Sequence, residues 1–158
     1  MRTASQPYGC ISSYLVSDAA PAPSPCTCAS LRMATRVVNR LYDQALAPAG
    51  ITTTAYSILS RLDREGPQAI GVLAARMALD RTTLSRELRP LVDDGLLTVR
   101  PDRADTRRRV VEPTRAGRKK LERAVPLWRR AQDELAEAFG AERTSRLMDE
   151  LRALVGAD

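Results

Sequence analysis

The chain has 158 residues, 44% of them apolar and 28% charged, with a net charge of +6 and a sequence pI near 9.8. These values predict one soluble globular domain with an added arm. No apolar run reaches the roughly 18 residues that span a bilayer, so no membrane partner is expected. The N-terminus lacks an export signal, which points to a cytoplasmic protein.

There is no histidine, which removes Ser-His-Asp and Cys-His catalysis and the commonest metal ligand. The three cysteines, Cys10, Cys26 and Cys28, all fall in the first 28 residues. An odd number argues against a disulfide framework, and Cys26-x-Cys28 without a second ligand pair is a weak metal motif. With no phosphate-cradling glycine-rich loop and no paired-carboxylate set, the sequence predicts no enzyme, no catalytic residues, no metal and no cofactor. The charge is localised. Residues 76–123 hold 14 Lys/Arg and 8 Asp/Glu, whereas the rest of the chain has 11 of each. A basic excess confined to the middle third is the footprint of a polyanion-binding surface, although a solvated face has the same composition.

Residues 1–25 are rich in Ser, Ala and Pro and read as a flexible arm. From Ala29 the apolar residues Leu31, Ala34, Val38 and Leu41 recur at helical spacing to about Leu46, where Pro48 and Gly50 stop the pattern. A second helix begins at Thr52–Thr54 with a threonine N-cap, turns Ile58, Leu59 and Leu62 inward, and ends at Gly66-Pro67. A short helix follows over Ile70–Met77, with Val72, Leu73 and Met77 apolar. Asp80 is the predicted N-cap of a fourth helix, Arg81–Asp94, whose stripe is Leu84, Leu88, Leu91 and Val92 and whose stop is Gly95. Two short helices around a turn at Ala78 form a helix-turn-helix. Leu96–Arg100 and Arg109–Glu112 read as strands of a hairpin. Thr114 caps a long helix to Phe139, and a last helix covers Glu142–Val155 with Leu147, Leu151, Leu154 and Val155 apolar. Pro90 and Pro126 should bend rather than end their helices. The fold class is mainly α with a small β-hairpin wing, in the order α-α-α-α-β-β-α-α.

Opposite the leucine stripe of the fourth helix stand Arg81, Thr82, Thr83, Ser85, Arg86 and Arg89. Short hydroxyl residues beside arginines suit major-groove reading, since Thr and Ser bond base edges or phosphates and Arg grips guanine bidentately. An ordinary hydrophilic helix face carries the same residues, and the hairpin that follows tips the balance. The stretch RPDRADTRRRVV, residues 100–111, carries Arg100, Arg103, Arg107, Arg108 and Arg109 with Asp102 and Asp105. Arginine at a hairpin tip fits the narrow minor groove of A·T-rich DNA. Asp105, two residues before Arg107, is expected to pair with its guanidinium and fix its direction, a gain in preorganisation more than in stability (about 0–1 kcal/mol).

RTTLSRELRPLVDDGLL followed by PDRADTRRRVVEPTRAG and a long helix resembles the MarR family of bacterial winged-helix transcription regulators over about residues 28–156. The family's wing signature maps onto Asp105-Thr106-Arg107-Arg108, Val110, Val111, Pro113-Thr114 and Gly117, with Pro113 in place of the usual apolar residue before Thr. The resemblance implies a homodimer intertwined through its first, fifth and sixth helices. It implies a palindromic double-stranded operator, with the recognition helix 81–94 in the major groove and the wing 100–109 in the minor groove. It also implies a repressor released by a small, often aromatic, effector. The organisation expected is an arm at 1–25, a dimerisation helix at 26–50, a DNA-binding region at 51–113 and dimerisation helices at 114–158. The DNA-binding residues expected are Thr82, Thr83, Ser85, Arg86, Arg89, Arg103, Asp105, Arg107 and Arg108.

A narrower likeness to the organic-hydroperoxide-sensing branch starts at Cys28, which opens the first helix and is followed fourteen residues later by Tyr42. Tyr56 matches a further aromatic position, while the branch's second thiol-facing tyrosine falls at Thr53. By that likeness Cys28, Tyr42 and Tyr56 are candidate sensor residues, with Cys26 or Cys10 as resolving thiols; a free cysteine is also often a small packing residue. Trp128, Phe139 and Met148 read as dimer or core packing, and Arg118, Lys119 and Lys120 as phosphate contacts or solvated charge. A winged helix that binds another protein rather than DNA is the alternative of a different class.

Overall fold

The computed structural model describes residues 24–156. Cys10 and nearly all of the predicted arm lie outside them. The elements in chain order are α1 (Thr27–Leu46), a 3-10 turn (Ala47–Ala49), α2 (Thr53–Glu65), β1 (Gln68–Ala69), α3 (Ile70–Arg76), α4 (Arg81–Asp93), β2 (Leu97–Pro101), β3 (Arg109–Pro113), α5 (Arg115–Phe139) and α6 (Ala141–Leu154). The fold is mainly helical, with a three-stranded antiparallel sheet in the order β1-β3-β2. Among the described residues no helix is long and apolar enough to cross a membrane.

Capping chemistry sets the helix starts. The Thr52 side chain accepts the Ala55 N–H at 3.1 Å. In α1 the Cys26 carbonyl accepts the first intrahelical bond from Ser30, and the Ser24 hydroxyl accepts the Cys26 N–H at 3.2 Å. The helix therefore begins at Thr27, two residues earlier than its apolar stripe alone predicts. Both proline-containing helices run on without interruption, α4 past Pro90 and α5 past Pro126.

The chain divides into two compact units, one of them Leu46–Pro126. Its core is built from Ile58, Leu59 and Leu62 of α2, Leu73 and Ala74 of α3, Leu84, Leu88 and Leu91 of α4, and Leu97, Val110 and Val111 of the sheet, all buried. Each large side chain so buried stabilises the fold by about 1.5–3 kcal/mol relative to exposure. The spacing of the α3 stripe is corrected here: Leu73 and Ala74 turn inward, and Val72 is exposed. The third strand, β1, is an addition to the predicted hairpin. It pairs Gln68 with Val111 and Ala69 with Val110, and two residues after Gly66-Pro67 are too few to show an alternation. Gln68 is buried, with its amide nitrogen donating to Glu65 at 2.6 Å.

The other unit holds the described residues up to Ala45 and those from Leu127 on. Tyr42 and Ala131 are buried in it, whereas α6 buries none of its residues. Leu147, Met148, Leu154 and Val155 are exposed, as is Leu31 of α1. Phe139 packs under the Arg143 guanidinium, 4.2 Å from the ring centre.

Candidate DNA-binding surface

The reading unit begins at a tight turn. Leu79 N–H bonds Ala74 O at 2.9 Å and Ala78 N–H bonds Ala75 O at 3.1 Å, a Schellman closure of α3 with Ala78, at φ +52°, in the position that usually takes glycine. Asp80 then caps α4. One carboxylate oxygen accepts the Thr83 N–H at 2.8 Å and the other the Thr83 hydroxyl at 2.7 Å. These bonds, led by the hydroxyl, hold the Asp80 carboxyl below the ordinary carboxylate range. At 3.6 residues per turn, Thr82, Arg86 and Arg89 lie roughly opposite the Leu84–Leu88–Leu91 stripe, and all three are exposed.

Not every hydroxyl on this face is free to donate. Thr83 gives its proton to Asp80, and Ser85 gives its own to the Arg81 carbonyl at 2.7 Å. Both can still accept a hydrogen bond, which matches the amino groups of adenine and cytosine in the major groove. The Asp-x-x-Thr spacing of a capping residue was the signal available for Thr83. Arg89 has Asp93 as an i,i+4 partner at 3.8 Å, while Arg86 has no acidic partner among the described residues.

The helix end and the wing are tied together by one short segment. Gly95, at φ +67°, closes α4: its N–H bonds Val92 O and the Leu96 N–H bonds Leu91 O. The Thr114 hydroxyl donates to Gly95 O at 2.7 Å and accepts the Gly117 N–H at 3.1 Å, while the Thr114 N–H bonds Leu96 O at 3.0 Å. Threonine therefore caps α5 and fastens it to the end of α4. Gly117 is buried against this joint, and a Cβ there would stand 2.1 Å from the Leu96 carbonyl oxygen. The Thr-x-x-Gly spacing thus has a steric cause.

β2 and β3 pair from Leu97↔Pro113 to Pro101↔Arg109. At the base of the wing Arg100 grips Glu112 with two bonds, Nε to Oε1 at 3.0 Å and Nη2 to Oε2 at 3.3 Å. The hydrogen bond from Arg100 holds Glu112 below the ordinary carboxylate range.

At the tip the two aspartates shape the loop. Asp102 accepts the Ala104 N–H at 2.8 Å, and Asp105 accepts the Arg107 N–H at 3.1 Å; both are Asx turns. The expected pairing of Asp105 with the Arg107 guanidinium is corrected: the carboxylate meets the Arg108 guanidinium at 3.4 Å. An Asx turn points the carboxylate at the backbone N–H two residues on, so the neighbouring side chain within reach is the one after it. Arg103 and Arg107 extend from the loop with no ion pair among the described residues, although Arg103 helps to hold the Glu112 carboxyl low, and both are exposed.

Of the candidate sensor residues, Cys28 and Tyr42 are not brought together. Cys28 sits in the first turn of α1, exposed and with a free thiol. Tyr42 lies fourteen residues along the same helix, about 21 Å away at 1.5 Å per residue, so the two cannot touch within one chain. Tyr42 is buried, which pushes its hydroxyl up to about 12. Tyr56 is buried in the other unit. Cys28 lines an open cavity of about 610 Å³ with Thr27, Leu31, Arg32, Thr35, Arg36 and Leu154. Among the described residues no group of acidic, cysteine or histidine side chains could hold a metal.

A helix-turn-helix whose second helix exposes Thr82, Arg86 and Arg89, joined by hydrogen bonds to a wing whose tip exposes Arg103 and Arg107, defines a winged-helix DNA-binding protein. The MarR family model matches residues 49–108. The chain is similar to the M. tuberculosis transcriptional regulator MosR in its complex with DNA, with 37% identity over 84% of this chain and 95% of that one and a TM-score of 0.75. It is also similar to the transcriptional repressor CouR bound to a DNA duplex, at 25% identity, 82% and 92% coverage and a TM-score of 0.74. The B. bronchiseptica regulator BpsR, whose DNA binding is regulated by 6-hydroxynicotinic acid, shares 25% identity over 85% and 96% of the two chains, with a TM-score of 0.72. No curated protein sequence matches the chain significantly. The chain belongs to the MarR family and is a DNA-binding transcription regulator, not an enzyme.

Proposed function

We propose that the protein is a homodimeric repressor that binds a palindromic operator, with α4 in the major groove and the tip of the wing in the minor groove, and that a small effector releases it. The observation that carries this reading is the pattern of free and held cations. Among the described residues Arg86 on α4 and Arg103 and Arg107 on the wing make no ion pair, and Arg89 has only a long contact with Asp93, at 3.8 Å. The arginine at the base of the wing, Arg100, is locked to Glu112. The unburied apolar residues of α6 and its end, Leu147, Leu154 and the following Val155, support a second copy as their cover, since such a surface is costly in water. The similarity to CouR and BpsR supports repression and release by an aromatic acid.

Fluorescence anisotropy with the duplex upstream of the protein's own gene tests it. Specific binding should show a steep negative salt slope, and Arg107→Ala should abolish the preference for this duplex over random DNA. Equal affinity for random and upstream duplex at physiological salt would overturn the reading.

The cavity beside Cys28 favours a second mode of release, by oxidation. The Cys28 thiolate would take the terminal oxygen of an organic hydroperoxide, releasing the alcohol and leaving a sulfenic acid; condensation with a second thiol, Cys26 or Cys10, would release water and form a disulfide. Two arginines, Arg32 and Arg36, border the same cavity and favour a hydroperoxide that carries a carboxylate elsewhere on the molecule. Release by hydroperoxide that persists in Cys28→Ser would eliminate this mode and leave the aromatic-acid mode standing.

A further inference from the structure

Arg81 is the first residue of α4 and breaks a local rule there, because a cation in the first turn opposes the helix dipole. It has no acidic partner among the described residues. Its neighbour Asp80 is occupied by Thr83. A second rule is broken beside it. Gly71 is the second residue of α3, a seven-residue helix, although glycine is among the poorest helix formers. The two exceptions meet in space. A Cβ on Gly71 would lie 2.6 Å from Arg81 Nη2, 2.9 Å from Nε and 3.0 Å from Cζ. The guanidinium fills the space that any larger residue at 71 would take.

This places Arg81 differently from the other cations of α4. At 3.6 residues per turn it falls about 60° from the buried leucine stripe, on the flank that faces α3, whereas Thr82, Arg86 and Arg89 lie on the far side. In a helix-turn-helix the second helix enters the groove and the first crosses the sugar-phosphate backbone. A guanidinium on the seam between them therefore meets backbone rather than base edges.

We propose that Gly71 is a notch that seats the Arg81 guanidinium at the seam of α3 and α4 as a clamp for one backbone phosphate of the duplex, an inference that rests on the DNA-binding reading above. A planar fork of N–H donors suits a phosphate oxygen pair, and phosphate contacts fix register while carrying no sequence information. The notch leaves room for the fork at the seam, where a larger residue at 71 would take the guanidinium's place. Both local exceptions are then explained by the site they build.

The test is anisotropy of the full-length protein on its upstream duplex and on random duplex across a salt series, with thermal melting alongside. Arg81→Ala should weaken both duplexes by the same factor, roughly tenfold, and flatten the salt slope by about one, while Tm holds or rises. Gly71→Ala keeps every charge but expels the guanidinium; it should reproduce part of the affinity loss with Tm at or above wild type. Arg81→Lys should keep the slope and recover only part of the affinity. An unchanged slope in Arg81→Ala, in a protein whose slope does fall with Arg107→Ala, would overturn the clamp and leave the DNA-binding reading intact. So would a loss confined to one base-pair position, which would make Arg81 a base reader. Wild-type affinity in Gly71→Ala would overturn the notch. Failure of the wild-type protein to prefer its upstream duplex would instead overturn the reading beneath the proposal.

Discussion

Replacing Gly117 by alanine is the most direct probe of how the recognition helix is joined to the wing. The new methyl carbon would stand 2.1 Å from the Leu96 carbonyl oxygen, 3.1 Å from its carbon and 3.3 Å from Leu59 Cδ2. A carbon relaxes against a carbonyl oxygen at about 3.3 Å, so the α5 backbone and the Leu96 peptide must separate by roughly 1 Å. That carbonyl accepts the Thr114 N–H at 3.0 Å and lies 3.2 Å from the Thr114 hydroxyl. Opening the gap strains or breaks both contacts, at roughly 0.5–1.5 kcal/mol each. Overpacking adds about 1–3 kcal/mol, and the better helix propensity of alanine returns about 1 kcal/mol. The expected net loss is about 2–4 kcal/mol, read as a shift in urea midpoint at unchanged m-value. Thr114→Val should lose less. The double variant should fall short of the sum of the two, because both act on one joint. A Gly117→Ala protein within about 0.5 kcal/mol of wild type would refute the steric account.

Three further outcomes follow from the geometry. Ala78, at φ +52° in the turn of the helix-turn-helix, is strained as a residue with a side chain, so Ala78→Gly should raise stability by about 1 kcal/mol; a lower Tm would show that no strain is stored there. The Glu112 carboxyl is held low by its hydrogen bonds from Arg100, and that of Glu65 by Gln68 first and then Arg76. A lowered folded pKa gives stability that is present above the ordinary carboxylate range and lost as the pH falls through the folded value. Urea midpoints measured from about pH 6 to about pH 3 should therefore drop, and less so in Glu112→Gln; an equal drop in that variant would remove Arg100–Glu112 from the account. At the wing, Asp105→Asn keeps an acceptor for the Arg107 N–H and loses the ion pair with Arg108, whereas Asp105→Ala loses both. Affinity for the upstream duplex should survive the first and fall in the second, and an equal fall in both would restore guanidinium steering as the role of this carboxylate.

Where a single residue meets its own backbone, the sequence is a reliable guide. Thr52, Asp80 and Thr114 were readable as caps because capping acts over two or three residues, and Gly95 was readable as a stop for the same reason. The helices and the two strands of the wing followed from periodicities that one face of a core enforces. Legibility faded when the partner was short or remote. β1 has only two residues and owes its extended form to Val110 and Val111 more than forty positions later. Gly117 stood in the sequence as part of a resemblance, and its cause appeared only with the Leu96 carbonyl beside it.

The site shows the same division within one loop. Five arginines and two aspartates can be written on a hairpin tip, but which carboxylate meets which cation depends on turn geometry that charge alone does not encode. Asp102 and Asp105 each accept a backbone N–H group, and Asp105 also meets Arg108. They also stiffen the segment from which Arg103 and Arg107 project. A loop of arginines alone would repel itself and sample many shapes, each to be given up on entering a narrow groove. The carboxylates act on the shape of the loop, and the arginines they leave free are the ones proposed to meet phosphate and base.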